Sequence, residues 1–113
     1  MQNCIFCKII ANELPSKKVY EDDNLLAFED INPIAPIHML LIPKKHISSL
    51  AKLNEENKEI TNELLFVASE LGKEYCGNNG FRVVINTGED GGQEVDHLHL
   101  HIIGGRKMTW PPG

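Results

Sequence analysis

Long apolar runs are missing from this chain of 113 residues. None approaches the ~20 residues that a membrane-spanning helix needs. A basic surplus is missing too: 11 lysines and arginines stand against 16 aspartates and glutamates, for a formal net charge of −5. Broad nucleic-acid binding relies on basic surface to displace phosphate counterions, so that class of function is excluded. A small phosphorylated ligand is not, because a few backbone amides and histidines can build a local anion site. Cysteine is scarce and odd in number, with three residues, which argues against a disulfide framework and for reduced thiols or a metal site. Repeats and low-complexity segments are absent. The opening MQNCIFCKII lacks the basic end, long apolar core and cleavage site of a secretory signal. The expectation is a cytoplasmic protein built as one domain over residues 1–113, with no membrane partner.

What is present reads as alternating elements. Residues 4–12 (CIFCKIIAN) predict a short helix packing Ile5, Phe6, Ile9 and Ile10, closed by Pro15. KVYED (18–22) and LLAFED (25–30) predict two strands around the turn residues Asp23 and Asn24. INPIAP (31–36), with two prolines, is a loop, and HMLLIP (38–43) a strand. A long helix starts at a cap on Asn54. It carries Ile60, Leu64, Val67, Ala68, Leu71 and Tyr75 at three- and four-residue steps and ends at Gly77–Gly80. FRVVIN (81–86) and HLHLHII (97–103) follow as strands, separated by TGEDGGQEV. Nothing demands parallel crossovers, so the fold class is α+β, an antiparallel sheet with the helices on one face.

The last segment places a histidine at every second residue. In a strand, successive side chains alternate between faces, so His97, His99 and His101 form a ladder, roughly 7 Å from rung to rung. Leu98, Leu100 and Ile102 face the core. Three rungs along one strand diverge too far to share a metal. A neutral imidazole is a nucleophile near pH 7 if a neighbour fixes its tautomer and an anion site holds the electrophile. The adjacent GEDGGQ loop can turn backbone N–H groups towards phosphate. Separately, Cys4 and Cys7 form C-x-x-C, read as a redox pair, half of a zinc site, or two small buried residues.

HLHLHII fits the pattern His-φ-His-φ-His-φ-φ, with φ apolar. FEDINPIAPIHMLLIPKKHI (28–47), VVINTGEDGGQEVDHLHLHIIGGR (83–106) and the terminal WPPG (110–113) also match. By these segments the chain resembles the Hint branch of the histidine triad family over nearly its whole length. The resemblance implies an α+β histidine-triad fold, with an antiparallel sheet of about five strands, one long and one short helix, and a homodimer whose sheets run on continuously. It implies hydrolysis of purine nucleoside phosphoramidates of the adenosine 5′-monophosphoramidate type. His99 would attack phosphorus to form a nucleotidyl-histidine, with His38 and His101 orienting and polarising the site. Asn86, Gly92 and the Val95 backbone would surround the phosphate, with Glu94 near the leaving group. Asp30 would hold the ribose, and Phe6, Leu14, Phe28 and Ile31 the base. Trp110 would reach the partner subunit's site. A structural zinc ion on Cys4, Cys7, His46 and His97 is also implied, while the chemistry itself would need no metal.

One departure is Asp96, where relatives often carry tyrosine or another bulky residue. If the strand bends there, its charge would raise the pKa of a neighbouring histidine. Dinucleoside polyphosphate hydrolysis of the Fhit type uses the same triad. The nucleotidyl-transferase branch replaces the third histidine with glutamine, which His101 does not. A non-catalytic nucleotide- or zinc-binding module is the rival outside enzymology.

Overall fold

The computed structural model describes residues 3–113; Met1 and Gln2 lie outside the described residues. Its elements are helix α1 (Ile5–Ile10), strands β1 (Lys18–Glu21), β2 (Leu25–Glu29) and β3 (Ile37–Pro43), helix α2 (Glu59–Cys76), and strands β4 (Phe81–Val84) and β5 (Leu100–Gly104). The five strands form one sheet in the order β1-β2-β3-β5-β4, with every neighbouring pair antiparallel. No helix among the described residues is long and apolar enough to cross a membrane.

Strand alternation divides the chain between two faces. On one face Leu25, Ala27, Met39, Leu41, Leu100 and Ile102 pack against Leu64, Val67, Ala68 and Leu71 of α2. These are the helical positions the three- and four-residue steps pick out. On the other face Leu26, Phe28, Leu40 and Ile42 pack against Phe6 and Ile9 of α1. The helices therefore lie on opposite faces, not on one. The reason is visible in β2 and β3, whose residues are buried almost without interruption. Strands apolar on both faces need cover on both.

Several boundaries differ from the expected ones. The long helix begins at Glu59. Asn54 instead caps the turn before it, its Oδ1 accepting from the amides of Glu56 and Asn57 at 2.9 and 3.2 Å. The strand after α2 stops at Val84, leaving Ile85 and Asn86 in the loop. Strand β5 begins at Leu100, not His97. The Leu98 amide donates to Ile47 O at 2.7 Å, which draws the chain from the sheet before the third rung of the ladder. His97 and His99 thus lie outside β5, and only His101 occupies a strand position.

Candidate active site

The alternation that buries Met39 and Leu41 turns His38 of β3 to the α1 face, and likewise His101 of β5. Register sets them one step apart, since Leu40 pairs with His101 and His38 with Ile103. Their rings meet with His38 Nε2 at 2.9 Å from His101 Nδ1. The Ile34 amide donates to His38 Nδ1 at 3.2 Å, so the His38 proton sits on Nε2 and goes to His101 Nδ1. The His101 proton is then on Nε2. Asp30 Oδ2 lies 3.4 Å from His38 Nε2, and Asp30 Oδ1 accepts from the Asn32 amide at 2.8 Å.

His99 is buried and stands edge-on to His101, ring centroids 5.1 Å apart. Its Nδ1–H donates to the backbone carbonyl of His97 at 2.7 Å. That bond assigns the tautomer and leaves Nε2 with an unshared lone pair. Phe6 packs edge-on against both His99 and His97, at centroid distances of 5.1 and 5.8 Å.

Burial governs the charge state of the cluster. Desolvation lowers His101 to about 4, and the neighbouring His99 and His38 push the same way against Asp30. Desolvation also lowers His38, again opposed by Asp30. Both rings are therefore neutral at pH 7. Asp96 is exposed, and the carboxylate that faces these rings is Asp30.

His38, His99 and His101 open onto a groove of about 1360 Å³. Asp30, Asn86, Gly92, Glu94, Val95, Phe6, Leu14, Phe28 and Ile31 line the same groove. Ile31 stands at its rim, 90% exposed. Trp110 does not line it and is 81% exposed. At the glycine-rich end of the groove the loop after β4 is tied to itself: Asn86 Nδ2 donates to Gly91 O at 2.7 Å, and Gln93 Oε1 accepts from the Gly88 amide at 3.0 Å. Gln93 Nε2 pins the loop to Ser48 O and Val95 O, at 2.7 and 2.9 Å. Gly92 takes φ +75°, a conformation that suits glycine. Arg82, Arg106 and Lys17 also line the groove. Sequence reasoning passed over all three, and only the Gly-Gly-Arg run after the triad hinted at Arg106.

Cys4, Cys7, His46 and His97 converge beside the site, with one donor atom from each within 4.8 Å of the others. His97 Nδ1 lies 3.3 Å from Cys4 Sγ and 3.6 Å from Cys7 Sγ, and His46 Nδ1 lies 3.3 Å from Cys7 Sγ. Sulfur and nitrogen ligands of one tetrahedral zinc ion stand ~3.5 Å apart, so the donor set fits that ion. The other nitrogen of His97 donates to Pro43 O at 2.8 Å, the outer bond that a ligating imidazole makes. Burial lowers His97 to about 4, against the Pro43 bond. Burial, then the bond to Cys4, pushes the Cys7 thiol up.

The HIT domain family matches residues 11–108. Protein HitA of Neisseria gonorrhoeae is 50% identical over 104 residues, 92% of this chain and 97% of that protein. A 14 kDa zinc-binding protein of Zea mays is 52% identical over 111 residues, 96% of this chain and 87% of that protein. The crystal structure of a HIT family hydrolase from Legionella pneumophila Philadelphia 1 superposes with a TM-score of 0.94 at 50% identity, covering 98% of this chain and all of that one. Fold, histidine cluster and relatives agree: the chain belongs to the histidine triad (HIT) family.

Proposed function

We propose that the chain is a nucleotide-binding hydrolase that cleaves the P–N bond of purine nucleoside phosphoramidates. The observation that carries the reading is the hydrogen bond from His99 Nδ1–H to His97 O. It fixes the proton of the neutral ring on Nδ1 and turns Nε2 towards the groove beside His101.

The lone pair of His99 Nε2 forms the bond to phosphorus as the P–N bond breaks, and the electron pair of that bond leaves with the amine, whose nitrogen enters already protonated as the substrate's own ammonium. His101 Nε2–H, kept protonated by His38, donates to the phosphoryl group as charge builds there; such an aligned donor contributes about 3 kcal/mol to the transition state. Glu94, on the groove wall, faces the leaving amine in this reading. Water then breaks the N–P bond and restores His99, releasing the nucleoside monophosphate. Asp30 accepts from the ribose hydroxyls, as a carboxylate does well. Phe6, Phe28, Leu14 and Ile31 give the base an apolar slot, and the Gly92 turn, Asn86 and the Val95 backbone embrace the phosphate.

Zinc on Cys4, Cys7, His46 and His97 supplies a cross-link, because a closed set of four ligands leaves no position for substrate. His97 is thereby committed to the metal through its side chain and to His99 through its carbonyl. The homodimer belongs to the same reading. Strand β4 is a sheet edge, and Phe66 on α2 is 65% exposed. An open edge and exposed apolar surface are each what a second copy would cover.

Hydrolysis of adenosine 5′-phosphoramidate, followed as AMP release, tests the reading. Wild type turns over and His99→Ala does not. If neither releases AMP while both bind it, the site is a nucleotide-binding module. Turnover of diadenosine polyphosphates in preference to the phosphoramidate would favour the Fhit-like alternative.

A further inference from the structure

Ile34 is 60% exposed, so packing of its side chain does little to hold the peptide that carries it. Hydrogen bonds hold it instead, from both sides. The Ile34 N–H donates to His38 Nδ1 at 3.2 Å. Its carbonyl accepts from Arg106 Nε and Nη2, both at 3.2 Å, while Arg106 Nη1 reaches Lys107 O at 3.4 Å. All three guanidinium nitrogens are thus engaged with backbone carbonyls. The approach depends on Gly105, which has φ +89°. A Cβ there would stand 2.8 Å from Pro36 Cβ, so only glycine brings the end of β5 this close to the 31–36 loop.

We propose that Arg106 is a positioning residue: by clamping the Ile34 peptide it fixes the tautomer of His38, and through His38 the donor that His101 presents to the phosphoryl group. With the Ile34 amide on Nδ1, the His38 proton must sit on Nε2 and point at His101 Nδ1, 2.9 Å away. His101 then carries its own proton on Nε2. If the Ile34 peptide turns away, His38 can protonate at Nδ1 and accept at Nε2. His101 must then donate from Nδ1, which leaves a bare lone pair on its Nε2, an acceptor facing phosphoryl oxygens. Asp30, 3.4 Å from His38 Nε2, backs the working tautomer from the other side, so loss of Arg106 mixes the two tautomers without fully inverting them.

The consequence for turnover rests on the phosphoramidase reading; the tautomer itself does not. The test is the nitrogen–proton correlation spectrum of the imidazoles at pH 7, on the full zinc-loaded chain without nucleotide, for wild type, Arg106→Ala and Arg106→Lys. Wild type shows His38 and His101 protonated at Nε2. Arg106→Ala moves His38 Nδ1 towards the protonated range, and Arg106→Lys, which keeps one donor for Ile34 O, lies between. Unchanged His38 and His101 spectra in Arg106→Ala overturn the proposal. In hydrolysis of adenosine 5′-phosphoramidate, Arg106→Ala lowers kcat about ten- to a hundredfold, the range that losing the outer partner of a metal-bound histidine costs, with KM nearly unchanged. A raised KM at unchanged kcat makes Arg106 a direct anion contact and also overturns the proposal. If wild type does not turn over, the phosphoramidase reading fails, and the spectra still decide the role of Arg106.

Discussion

The carbonyl oxygen of His97 lies 2.7 Å from Nδ1 of His99, while the side chain of His97 faces Cys4 and Cys7 at 3.3 and 3.6 Å. One residue therefore belongs to two assemblies. Its ring joins the thiol cluster, and its main chain sets the tautomer of the histidine that opens onto the groove. Whatever locks the ring also locks the carbonyl.

Loss of the metal should therefore be felt in stability first. Cys7→Ser is expected to reduce bound zinc from one per chain to none. Thermal melts should show wild type stabilised by added zinc and the variant indifferent. At a hundredfold excess over Kd the difference is about 2.7 kcal/mol. An equal response of both proteins would place the zinc elsewhere.

Asp30 gives a test that separates binding from chemistry. Asp30→Ala should raise KM for adenosine 5′-phosphoramidate about tenfold, the size of a lost charged hydrogen bond. The substrate lacking both ribose hydroxyls should show no further loss with the variant. If the variant penalises both substrates alike, Asp30 acts through His38 and not on the sugar.

The two neighbouring glycines of the loop after β4 should behave differently. A Cβ on Gly91 would stand 2.3 Å from Thr87 O, a backbone atom that cannot yield without moving the loop. A Cβ on Gly92 meets only Asn86 Nδ2, at 4.0 Å, but sits at φ +75°. Gly92→Ala should then cost about 1 kcal/mol of stability from the left-handed backbone alone. Gly91→Ala should cost more and lower nucleotide affinity with it. Urea unfolding and AMP titration of the two variants provide the comparison.

His101 carries a depressed pKa, about 4 in the fold, against an ordinary value near 6.5. Between these values the unfolded chain binds the proton and the folded chain does not. Stability contributed by this group is thus complete above pH ~6.5 and is lost as pH falls towards 4. The urea midpoint should decline over that window, and His101→Asn should flatten part of the slope. A slope unchanged by the substitution would assign it to other groups.

Much of this was legible in the residues. The α2 stripe from Leu64 to Leu71 follows from helical spacing, and the β2 and β3 segments from their apolar runs. The histidine ladder was legible in composition but not in shape. Alternation predicts three equivalent rungs, whereas Leu98 bonds to Ile47, distant in sequence, and His97 bonds to Pro43. Those partners come from tertiary packing, which no local period encodes. The same holds for Asn54, whose side chain satisfies the turn that precedes α2. Arg82 and Arg106 escaped notice because an arginine beside a glycine pair or on an edge strand carries no pattern until the chain is folded. The side of the sheet that α1 covers was equally hidden, since unbroken apolar strands do not say which helix lies on which face.

Strand β3 hands Met39 and Leu41 to one face and His38, Leu40 and Ile42 to the other. A slip of one residue against β5 would exchange the two sets. His38 would enter the oily layer under α2, and Met39 would face the groove. A one-residue error of assembly would therefore put a polar ring into the apolar layer and an apolar side chain onto the groove at once, so the core and the histidine pair would fail together.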